Sequence, residues 1–139
     1  MIGFATLLFE GLLLLVGTVL YNGLFYGWMM TGEYRFAVHE DLMSTGVDEY
    51  SDFMIEVGFG FVLGIIVLAI VRRVSGLQLL SFCAAAFSAL YFGTPNARLF
   101  GNTWSPWEEN LLFFGSGELF ISIALAMSAV YAAFLWLLR

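Results

Sequence analysis

SPWEENLLFFGSGELFISIALAMSAVYAAFLWLLR, residues 105–139, is the stretch that decides the fold. Ser105 supplies a hydroxyl at the N-cap position, Pro106 suits the first helical position, and Glu108 places a carboxylate at N3. Together they form a capping box, so we expect a helix to begin here. The nearly unbroken apolar sequence from Leu111 to Leu138 is long enough, at about 1.5 Å per residue, to cross a hydrocarbon layer of roughly 30 Å. We predict a membrane-spanning helix.

The composition of the whole chain also favours a membrane protein. Of its 139 residues, 61% are hydrophobic and 12% are charged, and the mean hydropathy is +0.91. A soluble domain of this size could not bury so much apolar surface. Eleven acids, five arginines and no lysine give a formal net charge of −6. This charge excludes a nucleic-acid partner, because phosphate binding needs a basic surface.

Cysteine and histidine usage limits the metal and redox chemistry. Cys83 is the single cysteine and His39 the single histidine. One chain can therefore build neither a disulfide, a Cys-x-x-Cys centre, a cysteine zinc site nor a bis-histidine haem. We predict no cofactor and no metal. The N-terminus lacks a basic region and an Ala-x-Ala cleavage site, so its apolar run is interpreted as a retained span.

Four apolar stretches predict an all-α, antiparallel four-helix membrane bundle that forms one domain over residues 1–139. The spans are predicted at residues 3–30, 52–72, 76–93 and 107–138, with outer loops at 31–51 and 94–106. The turn from Arg72 to Gly76 is long enough only for a reversal, so the second and third spans should form a helical hairpin.

The first outer loop is strongly acidic. Residues 31–52 contain six acids against Arg35, for a local formal charge of −5. Their acidic cluster at 48–52 lacks the spaced Asp/Asn and Gly pattern of a calcium loop and is interpreted as a solvated face. Tyr34, Val38 and Leu42 recur at i, i+4 and i+8, which predicts a short helix lying along the membrane surface.

The arginines near the ends of the spans predict the orientation. Arg72, Arg73 and Arg139 share one side with the N-terminus. Arg35 and Arg98 lie on the other side, among most of the acids. We expect both termini on the cytoplasmic side of a multi-pass protein in a prokaryotic cytoplasmic membrane.

Small residues at helical spacing predict where the helices pack. They are Gly23 and Gly27 on the first span, Gly60 and Gly64 on the second, and Ser81, Ala85 and Ser88 on the third. Residues of this kind let another membrane helix approach closely. We therefore predict close packing at these stripes.

Three carboxylates within the predicted spans are candidates for binding an ion or a proton: Glu10, Glu56 and Glu118. Counting back from Arg73 and Arg139 puts Glu56 in the outer part of the hydrocarbon core and Glu118 near its outer edge. If these two face each other, like charge and desolvation would favour proton sharing or cation binding. Alternatively, each reaches water or pairs with an outer arginine and fixes the depth of its helix.

Glu10 lies deeper, roughly 13 Å along the helix from Met1, and should face protein or water. It is either a functional carboxylate or a group that is neutral or bonded to a neighbouring Ser, Tyr or Asn in the bundle. A glutamate early in the first helix of a small four-span protein resembles the layout of small multidrug transporters. That resemblance rests on the position of Glu10 alone.

Two classes of function follow from this sequence. The first is a non-enzymatic subunit of a homo- or hetero-oligomeric membrane complex, favoured by the small-residue stripes and the short inner turn. The second is a small proton- or cation-coupled transporter or channel that uses the three glutamates. An enzyme is not favoured, because no motif in the sequence places a serine or cysteine as a nucleophile for His39-Glu40-Asp41. We favour the subunit, with the bilayer, further copies or larger membrane proteins as its partners.

Overall fold

The computed structural model describes residues 3–37, 49–94 and 117–138, which form four α-helices and no strand. The helices are α1 (Phe4–Thr31), α2 (Glu49–Ser75), α3 (Gln78–Phe92) and α4 (Gly117–Leu137). The predicted all-α class is thus confirmed. Three of these helices are long and apolar enough to cross a membrane, over Phe4–Trp28, Phe53–Ser75 and Glu118–Leu137, while α3 has 15 residues. Length and composition therefore indicate a membrane protein.

Two helices end at glycines in the left-handed conformation. Gly32 has φ 74° and donates its N–H to the carbonyl of Trp28 at 2.8 Å, which closes α1. Gly76 has φ 68° and donates to the carbonyl of Arg72 at 2.9 Å, just after α2. Glycine adopts this conformation without the steric penalty that a Cβ would bring. The second of these glycines forms the reversal between α2 and α3.

Ring contacts define the relative direction of α1 and α4. Phe9 stacks on Phe134 with centroids 4.0 Å apart, and Tyr21 meets Phe120 edge-on at 5.9 Å. Residue numbers rise along α1 as they fall along α4, so the two helices are antiparallel. α1 and α3 each pack against all three other described helices, whereas α2 and α4 form the least closely packed pair.

Small residues bring α2 and α3 into backbone contact. A Cβ added at Gly60 would overlap the Ala89 carbonyl oxygen and lie 2.7 Å from the Gly93 Cα. A Cβ at Gly64 would lie 2.8 Å from the Ala89 Cβ and 3.2 Å from the Ala85 carbonyl oxygen. The helices approach this closely because glycine and alanine leave the space between them open.

The remaining members of the α3 stripe differ in burial. Ser81 is fully buried and donates its hydroxyl to the Leu77 carbonyl at 2.6 Å. Its Oγ also lies 3.5 Å from the hydroxyl oxygen of Ser75 across the turn. Ser88 is half-buried. The stripe therefore lines the bundle interior most completely near the α2–α3 turn.

Gly23 and Gly27 face the chain's own return segment, where the sequence spacing led us to expect a helix. The Ala37 N–H donates to the Gly23 carbonyl at 3.0 Å, so the chain after α1 folds back along it. A Cβ at Gly23 would overlap the Phe36 ring, and one at Gly27 would overlap the Arg35 carbonyl. The prediction of a packed helix differs from the structure because glycine spacing indicates only that another backbone can approach closely. It does not specify whether that backbone is a helix or a loop.

The short surface helix predicted from Tyr34 does not begin there, since residues 34–37 are non-helical. Its other two stripe positions, Val38 and Leu42, lie outside the described residues. The capping box at 105–108 and the His39-Glu40-Asp41 group also lie outside them, so both stay predictions.

Candidate functional site

One face of α1 is polar and fully buried. Glu10, Thr18, Asn22 and Tyr26 are each 0% exposed, and with Leu14 they follow one another at four-residue spacing. Residues four apart on a helix lie on the same face, so these side chains form a single interior stripe. Buried polar groups are destabilising unless they are hydrogen-bonded, so the partners of this stripe decide its chemistry.

Glu10, at the N-terminal end of the stripe, forms an ion pair and also accepts a hydrogen bond from a tyrosine. Arg72 Nη1 donates to Glu10 Oε2 at 2.9 Å, and Arg72 Nη2 donates to Glu10 Oε1, which makes the pair bidentate. The Tyr131 hydroxyl donates to the same Oε1. Glu10 and Tyr131 are fully buried, while the Arg72 side chain is 15% exposed. We call Glu10, Arg72 and Tyr131 the Glu10 network.

The Glu10 network joins α1, α2 and α4 across sequence separations of 62 and 121 residues. Arg72 occupies the last turn of α2, where its positive charge also faces the negative end of that helix. The remaining helix, α3, contacts the network through Phe82, whose ring stacks on Tyr131 with centroids 4.3 Å apart. Every described helix therefore contacts this network.

Aromatic rings pack beside the Glu10 network. Phe134 lies 6.4 Å from the Tyr131 ring and stacks on Phe9, the residue before Glu10. In so apolar a setting the attraction between opposite charges is stronger than in water, and an unpaired charge is correspondingly costly. One alternative drawn from the sequence gave Glu10 a bond to a neighbouring tyrosine, and Tyr131 supplies it. From the sequence, Arg72 was used only to predict the orientation of the spans and the turn after the second one.

A second polar group lies at the other end of the stripe. The Tyr26 hydroxyl donates to Glu56 Oε2 of α2 at 3.0 Å. The Tyr21 hydroxyl lies 3.4 Å from the Thr94 Oγ1, at the end of α3. We call these four residues, together with Asn22, the Asn22 cluster. Its hydroxyl and carboxylate groups join α1 to α2 and to the end of α3, while the Asn22 carboxamide bonds within α1.

Asn22 carries an oxygen without a partner among the described residues. Its Nδ2 donates to the Thr18 carbonyl at 2.9 Å, and the Thr18 hydroxyl donates to the Leu14 carbonyl at 2.7 Å. The Asn22 Oδ1 is buried and accepts no hydrogen bond from the described residues. Among those residues, the Arg72 Nε is the other buried side-chain atom without a hydrogen-bond partner. Buried polar atoms in proteins are nearly always hydrogen-bonded, so each exception needs an explanation.

The other two candidate glutamates have different surroundings. Glu56 is half-buried and bonded to Tyr26, whereas Glu118 is exposed in the first described turn of α4. The coupled Glu56–Glu118 pair stays a prediction. Within the described ranges, no group of three or more His, Cys, Asp or Glu side chains could hold a metal ion.

A shallow groove lies on the outside of α1. It has a volume of about 330 Å³ and is lined by Leu15, Val16, Val19, Leu20 and Phe36. Its lining is apolar, and its α1 residues belong to the turns beside the buried stripe. The groove therefore suits a lipid chain or an apolar side chain and not an ion.

The sequence interpretation selected Glu10 but missed Arg72, Tyr131 and Asn22. For Asn22 a signal existed, because Thr18, Asn22 and Tyr26 follow one another every four residues on one predicted helix, and Glu10 lies eight residues before Thr18. Tyr131 gave no such signal within the apolar fourth span. No protein-family model matches this chain, and no curated protein and no solved structure matches it.

Proposed function

We propose that this chain is a four-span integral membrane protein that serves as a non-enzymatic subunit of an oligomeric membrane complex. Helix α3 would cross as the shortest span, at roughly 22 Å, with local thinning of the bilayer. The arginines at the α2–α3 turn support placing that turn and both termini on the cytoplasmic side of a prokaryotic membrane. These assignments complete the topology expected from the sequence.

The observation that carries the proposal is the saturation of Glu10. Both of its carboxylate oxygens accept hydrogen bonds, and its charge is balanced by Arg72 in a fully buried position. A transporter's carboxylate has to exchange protons or ions with water during its cycle. A carboxylate that accepts hydrogen bonds from three donors on two other helices instead fixes the relative positions of those helices. A structural subunit needs such a fixed arrangement.

The outer faces of the bundle supply surface for neighbouring subunits. On α1, Leu8, Leu12 and Val16 are each more than half exposed, and on α4 so are Ile121 and Leu125. Apolar faces in a bilayer associate through close van der Waals packing, which requires complementary shape. The α1 groove offers such a shape, so we propose it as the contact with a neighbouring subunit.

The test is the oligomeric state of the labelled full chain in lipid bilayers, counted by single-molecule photobleaching at low protein density. We expect dimers or larger assemblies, with Val16→Trp shifting the population toward monomers because it fills the groove. Ile70→Trp, at an exposed position on α2, is the matched control and should keep the assembly. Monomers at every density, and also in nanodiscs cut directly from the source membrane, would overturn the proposal.

A proton-coupled transporter is the second candidate, and one contact favours it. The Tyr131 hydroxyl shares Glu10 Oε1 with Arg72, so a proton arriving at this carboxylate would compete directly with the ion pair. In proteoliposomes with an imposed pH gradient, a transporter should dissipate the gradient faster than empty vesicles, and Glu10→Gln should remove the difference. A wild-type rate equal to that of empty vesicles is the result expected for a subunit.

A further inference from the structure

We propose that the α1 groove binds one acyl chain of a bilayer phospholipid. This inference rests on the proposed membrane topology and deepens the proposed contact, because the neighbouring subunit would meet the acyl chain together with α1. Lipid that only coats a membrane protein exchanges freely and needs no defined surface. A chain that stays bound needs a groove of its own width at the depth of the acyl chains.

The groove is narrower than a helix. Its lining runs from Leu15 to Phe36, whose ring lies against α1 at the level of Gly23. Leu15 and Gly23 are eight residues apart, or about 12 Å along the helix. The volume of about 330 Å³ spread over this length gives a mean cross-section of about 28 Å². A helix about 10 Å in diameter occupies roughly 80 Å², so the groove accepts a single chain or a row of side chains.

The segment that folds back on α1 closes one end of the groove. The Phe36 ring covers Gly23, and the Ala37 N–H donates to the Gly23 carbonyl at 3.0 Å. A straight helix that followed the groove along α1 would collide with this segment. An acyl chain can bend around the Phe36 ring, because it is flexible along its whole length. The closed end therefore favours an acyl chain over a ridge of side chains on a neighbouring helix.

The groove lies at the depth of one leaflet. Trp28 ends the apolar window of α1 and stacks on Tyr34 with centroids 6.3 Å apart. Amphipathic rings of this kind mark the headgroup level. Phe36 contacts α1 five residues before Trp28, about 8 Å deeper, and Leu15 lies 13 residues before it, about 20 Å deeper. Half of a bilayer with its headgroups is about 20–22 Å thick, so the groove begins beneath the headgroups and ends near the midplane.

Dispersion contacts would hold the acyl chain in place. Lipid tails are as apolar as leucine, so hydrophobicity alone gives a chain no preference for the groove over the bilayer. A chain in the groove contacts two segments, the α1 side chains and the Phe36 ring, whereas a chain on an open helix face contacts one. More atoms then lie at contact distance, and the attraction grows with their number.

The experiment is photolabelling of the full chain in phosphatidylcholine vesicles that contain a trace of the same lipid with a diazirine in the distal half of one acyl chain. Contacts between the helices put Ile66 of α2 and Leu125 of α4 near the level of Val16. These three side chains are 46%, 65% and 52% exposed, respectively. We expect Val16 to be labelled at least about fivefold more than the other two, because a bound chain stays beside it.

Three variants make the result specific, with labelling read at Leu20 on the same groove. Val16→Trp fills the groove and should remove the excess labelling, and Phe36→Ala opens its closed end and should lower it. Ile70→Trp, at an exposed position on α2, is the matched control and should keep it.

Two results would overturn the bound acyl chain. Wild-type labelling in proportion to exposure alone would mean exchanging lipid only. An unlabelled groove in assembled chains would mean that a neighbouring subunit fills it, and the subunit function would stand. Excess labelling of the groove in chains that stay monomeric would support the bound acyl chain while the proposed assembly fails.

Discussion

The Glu10 network and the Asn22 cluster lie on the same buried face of α1, yet they satisfy polar groups in different ways. In the Glu10 network, opposite charges meet and each carboxylate oxygen accepts from a donor on another helix. In the Asn22 cluster, neutral hydroxyls meet one carboxylate, and an amide oxygen is left over among the described residues. The difference lies in what the neighbouring helices donate, since α1 presents polar groups at both ends.

That difference predicts distinct mechanical and chemical behaviour at the two ends of the bundle. The Glu10 carboxylate, whose two oxygens both accept hydrogen bonds, resists change, because separating it from Arg72 leaves a charge in an apolar environment, even though the Arg72 Nε has no partner among the described residues. A cluster with a spare acceptor can take up a further species without breaking an existing bond. We therefore expect the first end to fix the fold and the second to respond to its surroundings.

The largest expected effect is at Arg72. Arg72→Met leaves the Glu10 carboxylate buried without a counter-charge, and loss of one partner from a buried pair costs about 3–5 kcal/mol. The free energy of unfolding, measured by steric trapping in bicelles, should fall by this amount. Arg73→Met is the matched control, since Arg73 is the adjacent residue and is exposed, and it should change little.

A double variant separates charge from packing at the same site. Glu10→Leu combined with Arg72→Met leaves no charge in the Glu10 network, so it should recover much of the stability that Arg72→Met alone loses. Equal losses for Arg72→Met and Arg73→Met would show that the ion pair does not stabilise the bundle.

The next effect is at Gly60, which holds α3 against α2 beside the Asn22 cluster. A leucine there would meet the backbone of Ala89 and Gly93, so the helices would have to separate. We expect a loss of about 3 kcal/mol in the same measurement, the upper range for overpacking. Gly58→Leu is the control on the same helix, because nothing lies within 4 Å of a Cβ at Gly58. If both variants unfold alike, the glycine contact is not what fixes this end.

Two tyrosine hydroxyls compare the regions directly. Tyr131→Phe removes a donor to a fully buried carboxylate while keeping the stacking on Phe82, and should cost about 1.5 kcal/mol. Tyr26→Phe removes a donor to the half-buried Glu56 and should cost roughly 0.6 kcal/mol, the average for hydrogen bonds within membrane proteins. A larger loss at Tyr26 than at Tyr131 would reverse the comparison.

The smallest expected effect is local to the segment that folds back on α1. A Cβ at Gly27 would overlap the Arg35 carbonyl, so Gly27→Ala should lift this segment and weaken the hydrogen bond from the Ala37 N–H to the Gly23 carbonyl. We expect the Ala37 amide to exchange hydrogen about tenfold faster, with global stability nearly unchanged. Gly11→Ala is the control, because a Cβ there meets nothing within 4 Å. Unchanged exchange at Ala37 would mean that the segment is held by other contacts.

The helices were largely predictable because their apolar lengths are set by the sequence itself. The first span was expected at residues 3–30 and α1 runs over Phe4–Thr31. The second was expected at 52–72, but α2 covers Glu49–Ser75, because helical hydrogen bonding continues past the apolar residues into polar ones. The short turn after Arg73 was recognised as a reversal, and Gly76 supplies the required backbone conformation.

The partners across helices were not predictable in the same way. Glu10 was selected because a carboxylate is conspicuous in an apolar run, but Arg72 lies 62 residues away and Tyr131 lies 121 residues away. A helix that is apolar on all sides gives no amphipathic pattern from which its rotation could be deduced. Tyr131 was therefore indistinguishable from a tyrosine facing lipid. Likewise, Asn22 was not selected from the sequence.

The order in which the Glu10 network can form has a consequence for biosynthesis. Glu10 and Arg72 are both present once the α2–α3 turn has been translated, whereas Tyr131 follows about 60 residues later. At about 5–20 residues per second, the nascent chain would hold the ion pair without its tyrosine for several seconds. During that interval Glu10 has its counter-charge but lacks the α4 side chains that shield it. Nascent chains that end before residue 131, and chains extended past residue 139 by a linker long enough to free α4 from the ribosome, should therefore differ in how readily quality-control proteases attack α1.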